Sequence, residues 1–148
     1  MIRVSVAVVA LVALLFTGGT SAATSPVRFS RIYYNPPGTD TQANGRLVKE
    51  YIELRNTGRV AVASTGWRIR DVDDGKVYVF PVFKLAPGKL VRVRTGSGRN
   101  TQLDLFWGQK NYVWNNNEPE TATLRNARGE VVSKCSYRPS GSASVTCP

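Results

Sequence analysis

The 148-residue chain contains no histidine. That absence removes the commonest general base, every Ser-His or Cys-His nucleophile pair and the usual zinc site. Cysteine is almost as scarce: Cys135 and Cys147 are the two present. Acidic residues number 10 against 20 basic ones, so few carboxylate pairs are available for acid–base work. Gly96-Ser97-Gly98-Arg99 follows a strand-like run but leads into no helical pattern. It therefore lacks the helix N-terminus that binds phosphate and reads as a loop. Beyond the first residues, no run is long or apolar enough to cross a membrane, and no sustained 3.6-residue apolar periodicity occurs. No catalytic residue, metal or cofactor is expected.

The start of the chain has a different character. Met1-Ile2-Arg3 carries a positive charge, residues 4–16 are apolar apart from Ser5, Gly18-Gly19 breaks the run, and Thr20-Ser21-Ala22-Ala23 supplies small residues. This is the three-part pattern of a secretory signal, with cleavage after Ala22 or Ala23. A membrane-spanning helix needs roughly 20 apolar residues, more than this run offers. Residues 1–22 are therefore expected to be a signal peptide, and residues 23–148 a single secreted domain with no membrane span of its own. In an oxidising compartment, Cys135 and Cys147 are expected to pair within one chain; two free thiols or a bridge to another chain are the alternatives. An intrachain bridge would tie a Ser/Gly/Pro-rich tail to the run before it.

Short runs rich in Val, Ile, Tyr, Phe and Thr recur between clusters of Gly, Pro, Asn and Asp, the pattern of an all-β sandwich or barrel. Strands are expected near 27–34, 48–56, 66–72, 76–80, 89–95, 103–107, 111–114, 121–126 and 130–137. Side chains alternate across a strand, so charged neighbours mark the wet face. By that rule Ile52, Leu54, Trp67, Ile69, Val91, Val93, Ala122 and Leu124 should line the core. Along the first strand, Val27 and Phe29 are on one phase and Ile32 and Tyr34 on the other, which calls for a bulge between them. Asp73-Asp74-Gly75 reads as a hairpin turn and Ala86-Pro87-Gly88-Lys89 as a type II turn. The polar stretch 38–47 reads as a mobile loop.

With the motifs in this order, the chain resembles the lamin tail domain. The segments that carry the resemblance are Ile32-Tyr33-Tyr34-Asn35-Pro36-Pro37-Gly38, then Glu50-Tyr51-Ile52-Glu53-Leu54-Arg55-Asn56-Thr57-Gly58, then Gly66-Trp67-Arg68-Ile69-Arg70-Asp71. Phe80 with Leu85-Ala86-Pro87-Gly88, Trp114-Asn115-Asn116 and Thr121-Ala122-Thr123-Leu124-Arg125-Asn126 complete the set. Two turns depart from the pattern. Asn117-Glu118-Pro119-Glu120 stands where a Gly-Asp step is usual, and Ser64-Thr65-Gly66 stands where Leu-Ser-Gly is favoured. The resemblance implies an immunoglobulin-like antiparallel β-sandwich without catalytic residues. In lamins such a domain binds proteins and DNA; in bacterial secreted or surface proteins it often accompanies nucleases or other hydrolases.

Fourteen of the basic residues are Arg and six are Lys, and the net charge is +10. A basic secreted protein is drawn to nucleic acid, acidic envelope polymers or anionic lipid heads. Arg68 and Arg70 share the wet face of one strand, and Arg92 and Arg94 that of another. If those strands lie in one sheet, the four side chains form a rigid anion-binding patch. Trp107 and Tyr112 flank Gly108-Gln109-Lys110-Asn111 and could form an exposed aromatic rim for stacking. Among the acids, Asp71, Asp73 and Asp74 are dense enough to suggest a calcium site but sit where a turn is needed. Glu118 and Glu120 flank Pro119 in an apparent turn. Glu50 and Glu53 are expected on opposite faces of one strand, unable to act together. The expected function is a non-catalytic binding module for an anionic partner outside the cell, DNA or an acidic envelope polymer. The alternative is a structural or protein-binding surface domain whose charge is incidental.

Overall fold

The computed structural model describes residues 24–148; the expected signal peptide lies outside the described residues. β1 (Val27–Tyr33) runs into a polar stretch ending in α1 (Asn44–Leu47), and the chain continues through β2 (Tyr51–Asn56), β3 (Val62–Ala63), β4 (Arg68–Asp71), β5 (Val77–Val79) and β6 (Lys84–Leu85). Next come β7 (Leu90–Arg94), β8 (Asp104–Phe106), β9 (Glu120–Arg125), β10 (Val131–Tyr137) and β11 (Val145–Thr146). These strands form a five-stranded sheet in the order β11-β1-β2-β7-β8, a four-stranded sheet in the order β10-β9-β4-β5, and the small pair β3-β6. Every pairing is antiparallel except β7 with β8, which run parallel.

The core follows from alternation. Ile52, Leu54, Ile69, Val91, Val93, Ala122, Leu124 and Trp67 are all buried, drawn from both sheets and filling the space between them. The parity change in β1 is resolved by a register shift between Phe29 and Arg31 against β2, so Val27, Phe29, Ile32 and Tyr34 all reach the interior. Gly75 and Gly88 adopt φ of 74° and 67°, the left-handed conformation that their turns require and that other residues resist.

Cys135 on β10 is bonded to Cys147 beside β11. Because β10 belongs to one sheet and β11 to the other, the bond clasps the two layers at one edge. At the opposite edge, the ring of Tyr78 on β5 meets that of Trp107 just after β8, with centroids 5.7 Å apart.

Three expectations about local structure change. Residues 111–114 form no strand; they are a loop whose Val113 and Trp114 are buried. Residues 38–47, expected to be loop throughout, end in the helical turn α1, with side-chain hydrogen bonds to the stretch before it. Arg46 donates to the Pro37 and Pro36 carbonyls, and Asn116 donates to Asp40. The short strands β3, β6 and β11 are further additions to the expected set.

Candidate functional site

The four arginines singled out by alternation do not form one patch. Arg68 and Arg70 lie on β4 of the four-stranded sheet, and Arg92 and Arg94 on β7 of the five-stranded sheet. The two pairs project from opposite sides of the sandwich, because β4 pairs with β9 and β7 with β2.

On the five-stranded side, Arg92 and Arg94 are engaged within the fold, whereas Arg28 and Arg31 on β1 and Arg55 on β2 are exposed and make no ion pair among the described residues. Arg92 Nε lies 3.2 Å from Glu53 Oε2, and Arg94 Nε lies 2.7 Å from Asp104 Oδ1. Arg94 also donates to the Val48 carbonyl at 2.7 Å. Both guanidinium groups sit over the Tyr51 ring, 5.1 and 5.6 Å from its centroid, and Tyr33 stacks on Tyr51 at 5.2 Å. Such cation–π and ion-pair contacts orient the side chains along the sheet. They also explain why Glu53, on the outer face, is nearly covered.

The four-stranded side is different. Arg68 stands opposite Arg125 across β4 and β9, while Arg70 stands opposite Thr123, which in turn faces Lys134 on β10. Arg68, Arg70, Arg125 and Lys134 are all exposed, and among the described residues none of them makes an ion pair. Arg125 is steadied by donating to the Gly129 carbonyl at 2.7 Å. The remaining outward side chains of these strands are Thr, Ser and Val. No carboxylate is among them. Val77 and Val79 occupy the β5 positions beside Arg70 and Arg68 and are 44% and 51% exposed. Val131, opposite Arg125, and Val72, just beyond β4, are also exposed.

Trp107 and Tyr112 do not make an exposed rim. Trp107 packs between Tyr78 and Trp114, with its indole nitrogen buried. Tyr112, half-buried, donates its hydroxyl to the Thr41 carbonyl at 3.2 Å and so ties the 111–117 loop to the stretch before α1.

Glu50 and Glu53 lie on opposite faces, as alternation suggested, with Glu53 outward beside Arg92 and Glu50 turned into the interior. Glu50 precedes β2 and is fully buried, and Glu120, expected in a turn, opens β9 and is buried too. One oxygen of Glu50 accepts from Thr95 Oγ1 and from the backbone N–H groups of Val113 (2.8 Å) and Trp114 (3.3 Å). Glu120 accepts from the Asn115 N–H at 2.9 Å and the Tyr137 hydroxyl at 3.1 Å. Together they pin the Val113–Asn115 loop between the sheets. Burial raises the Glu50 carboxyl to about 8 despite those three donors, and repulsion from Glu120 adds to it. Burial likewise raises Glu120 to about 7, and nearby Asp71 contributes. Asp71, Asp74 and Glu120 bring carboxylate oxygens within 4.8 Å of one another. Lys76 compensates them, with Nζ 2.6 Å from Asp74 and 3.7 Å from Asp71. Asp71 Oδ1 accepts from the N–H groups of Asp73 and Asp74. This is turn architecture with its own built-in cation.

Two sheets clasped by a disulfide, with carboxyls used to fasten a loop, define an immunoglobulin-like β-sandwich. The family model described as Lamin Tail Domain matches residues 20–139, and the chain belongs to that family. No curated protein matches the chain. Among the described residues, no helix is long and apolar enough to cross a membrane.

Proposed function

We propose that the chain is a secreted binding module that engages an anionic partner outside the cell, nucleic acid or an acidic envelope polymer. The binding face is the outer surface of the four-stranded sheet. The observation that supports this reading is the gathering of Arg68, Arg70, Arg125 and Lys134 on three adjacent strands with no outward carboxylate between them. A domain whose charge is incidental would intersperse both signs there, as the five-stranded side does. Arg suits phosphate and carboxylate partners because its planar fork can donate two parallel hydrogen bonds. Contacts of this kind read charge, so binding is weakly sequence-selective and steeply salt-dependent.

The test replaces Arg68, Arg70, Arg125 and Lys134 by Gln and measures binding to duplex DNA and to an acidic polymer over a salt series. The expected result is lost affinity with an unchanged melting temperature. For DNA, the log–log salt slope should become shallower by about 0.9 per phosphate contact removed. Wild-type protein that binds no polyanion at low salt would overturn the reading, as would a fourfold variant that binds like wild type.

A further inference from the structure

We infer that the anionic partner of the four-stranded face is a lipid surface, met with the β5 edge tilted toward it. This rests on the preceding reading for its cationic face and departs from it in the partner, since a lipid surface takes the place of the polymer. A polyanion in solution accounts for Arg68, Arg70, Arg125 and Lys134, but it leaves the valines unexplained. Val79 and Val77 are the direct cross-strand neighbours of Arg68 and Arg70, and each leaves about half its surface in water. Aliphatic side chains in water are costly, and a patch of them rimmed by polar groups marks an interaction surface.

A layer of anionic headgroups uses both components. Arg stems can lie along the apolar margin while their guanidinium groups stay at phosphate level. The valine methyls then enter the spaces between headgroups. Polarity across the face sets the orientation: the valines line the free edge on β5, and the cations stand on β4, β9 and β10. The depth is limited as well. β5 pairs only with β4, so its outer edge carries backbone groups that need water and cannot enter the hydrocarbon. The domain is therefore seated in the headgroup layer and does not penetrate below it.

The experiment sediments the exported protein with vesicles of equimolar phosphatidylglycerol and phosphatidylcholine, with pure phosphatidylcholine vesicles and duplex DNA in parallel. Wild type should bind the anionic vesicles and not the neutral ones. Arg68→Gln with Arg70→Gln should weaken vesicle binding by about 30-fold, from the attraction of two cations near an anionic surface. Val77→Thr with Val79→Thr keeps β-branched side chains in the strand, yet should weaken vesicle binding by about tenfold through two lost methyl groups. It should leave DNA binding unchanged. In the unmodified protein, a nitroxide-labelled lipid should broaden the methyl signals of Val77 and Val79 and spare those of buried Val91 and Val93. DNA binding without vesicle binding, full vesicle affinity in the valine variant, or unbroadened Val77 and Val79 would each overturn the lipid assignment and leave the basic face intact. An arginine variant that loses affinity for neither ligand overturns the basic face itself, and the lipid assignment with it.

Discussion

Raising the pH should destabilise this domain in a window where most proteins are indifferent to it, and Glu50→Gln should remove part of the effect. The ordinary Glu value is 4.5, and in the fold Glu50 rises to about 8. Between those values the folded chain keeps a proton on Glu50 that the unfolded chain has released, so stability falls as pH rises. The slope is about 1.4 kcal/mol per pH unit for each such group. Over its window, Glu50 alone accounts for on the order of 5 kcal/mol, a large part of a typical 5–15 kcal/mol. Glu120 adds a second contribution that is complete near pH 7, where its own carboxyl titrates. Glu50, the higher of the two, is therefore the larger contributor at the alkaline end of the window. Urea unfolding followed by tryptophan fluorescence, at half-unit steps from pH 5 to 9, reads the slope directly. Wild type should still lose stability from pH 7 to 8, whereas Glu50→Gln should have a clearly shallower slope there. The amide's absolute stability at pH 5 can be lower, since its NH₂ takes the place of Glu50 Oε2, which has no hydrogen-bond partner. Parallel profiles for the two proteins would show that Glu50 is ionised in the fold and refute the argument.

Trp67→Ala should cost roughly 3–5 kcal/mol by emptying an indole-sized volume between the sheets; an unchanged melting temperature would contradict its place in the core. Reducing the Cys135–Cys147 bond should lower stability by on the order of 3 kcal/mol, read as a shift in urea midpoint with and without reductant. No shift would mean that the clasp carries no part of the stability. Two glycines should respond in opposite directions. At Gly98 an added Cβ would sit 2.4 Å from the Phe106 ring, so Ala there should cost about 1–3 kcal/mol. At Gly45 in α1 nothing lies within 4 Å, and Ala should be neutral or stabilising by up to about 1 kcal/mol. A melting comparison of the two variants in which Gly45→Ala is the more damaging would reverse that account.

Local rules carried much of the architecture. Alternation around Ile52, Leu54, Ile69 and Val93 needs only neighbouring residues to be read, and so does the parity break between Phe29 and Ile32. Which strands share a sheet is a non-local fact. Nothing near Arg68 or Arg92 records that β4 joins β9 while β7 joins β2, and the four-arginine patch failed for that reason. The same pairing brings Arg125 and Lys134 beside Arg68 and Arg70 on the outer face of the four-stranded sheet. The outward phase of Arg125 was legible from buried Leu124, but its neighbour was not. Glu50 was legible on the inward phase of Ile52 and Leu54 and Glu120 was misread as a turn residue, but the burial of both runs against the rule that a carboxylate marks the wet face. Here burial with hydrogen bonds from Thr95, the 113–115 backbone and Tyr137 overrides that rule. Trp107 flanks a turn as expected, yet an indole beside a turn can fold inward as readily as outward, and Tyr78 and Trp114 draw it in.

The bond between Cys135 and Cys147 also sets how the domain would carry a mechanical load. A pull on the C-terminus enters the structure at Cys147 and passes by covalent bond to Cys135, in the middle of β10, which is held along its length by β9. The two-residue β11 and the tail before it are bypassed. While the bond is intact, the 12-residue separation between the cysteines is spanned by a Cα–Cα distance of 5.5 Å. Reduction would free that segment to extend to roughly 40 Å, so the redox state of one bond sets the domain's reach under tension. With the bond intact, load passes from Cys147 straight to β10; with it reduced, the tail yields first and only then is β10 loaded.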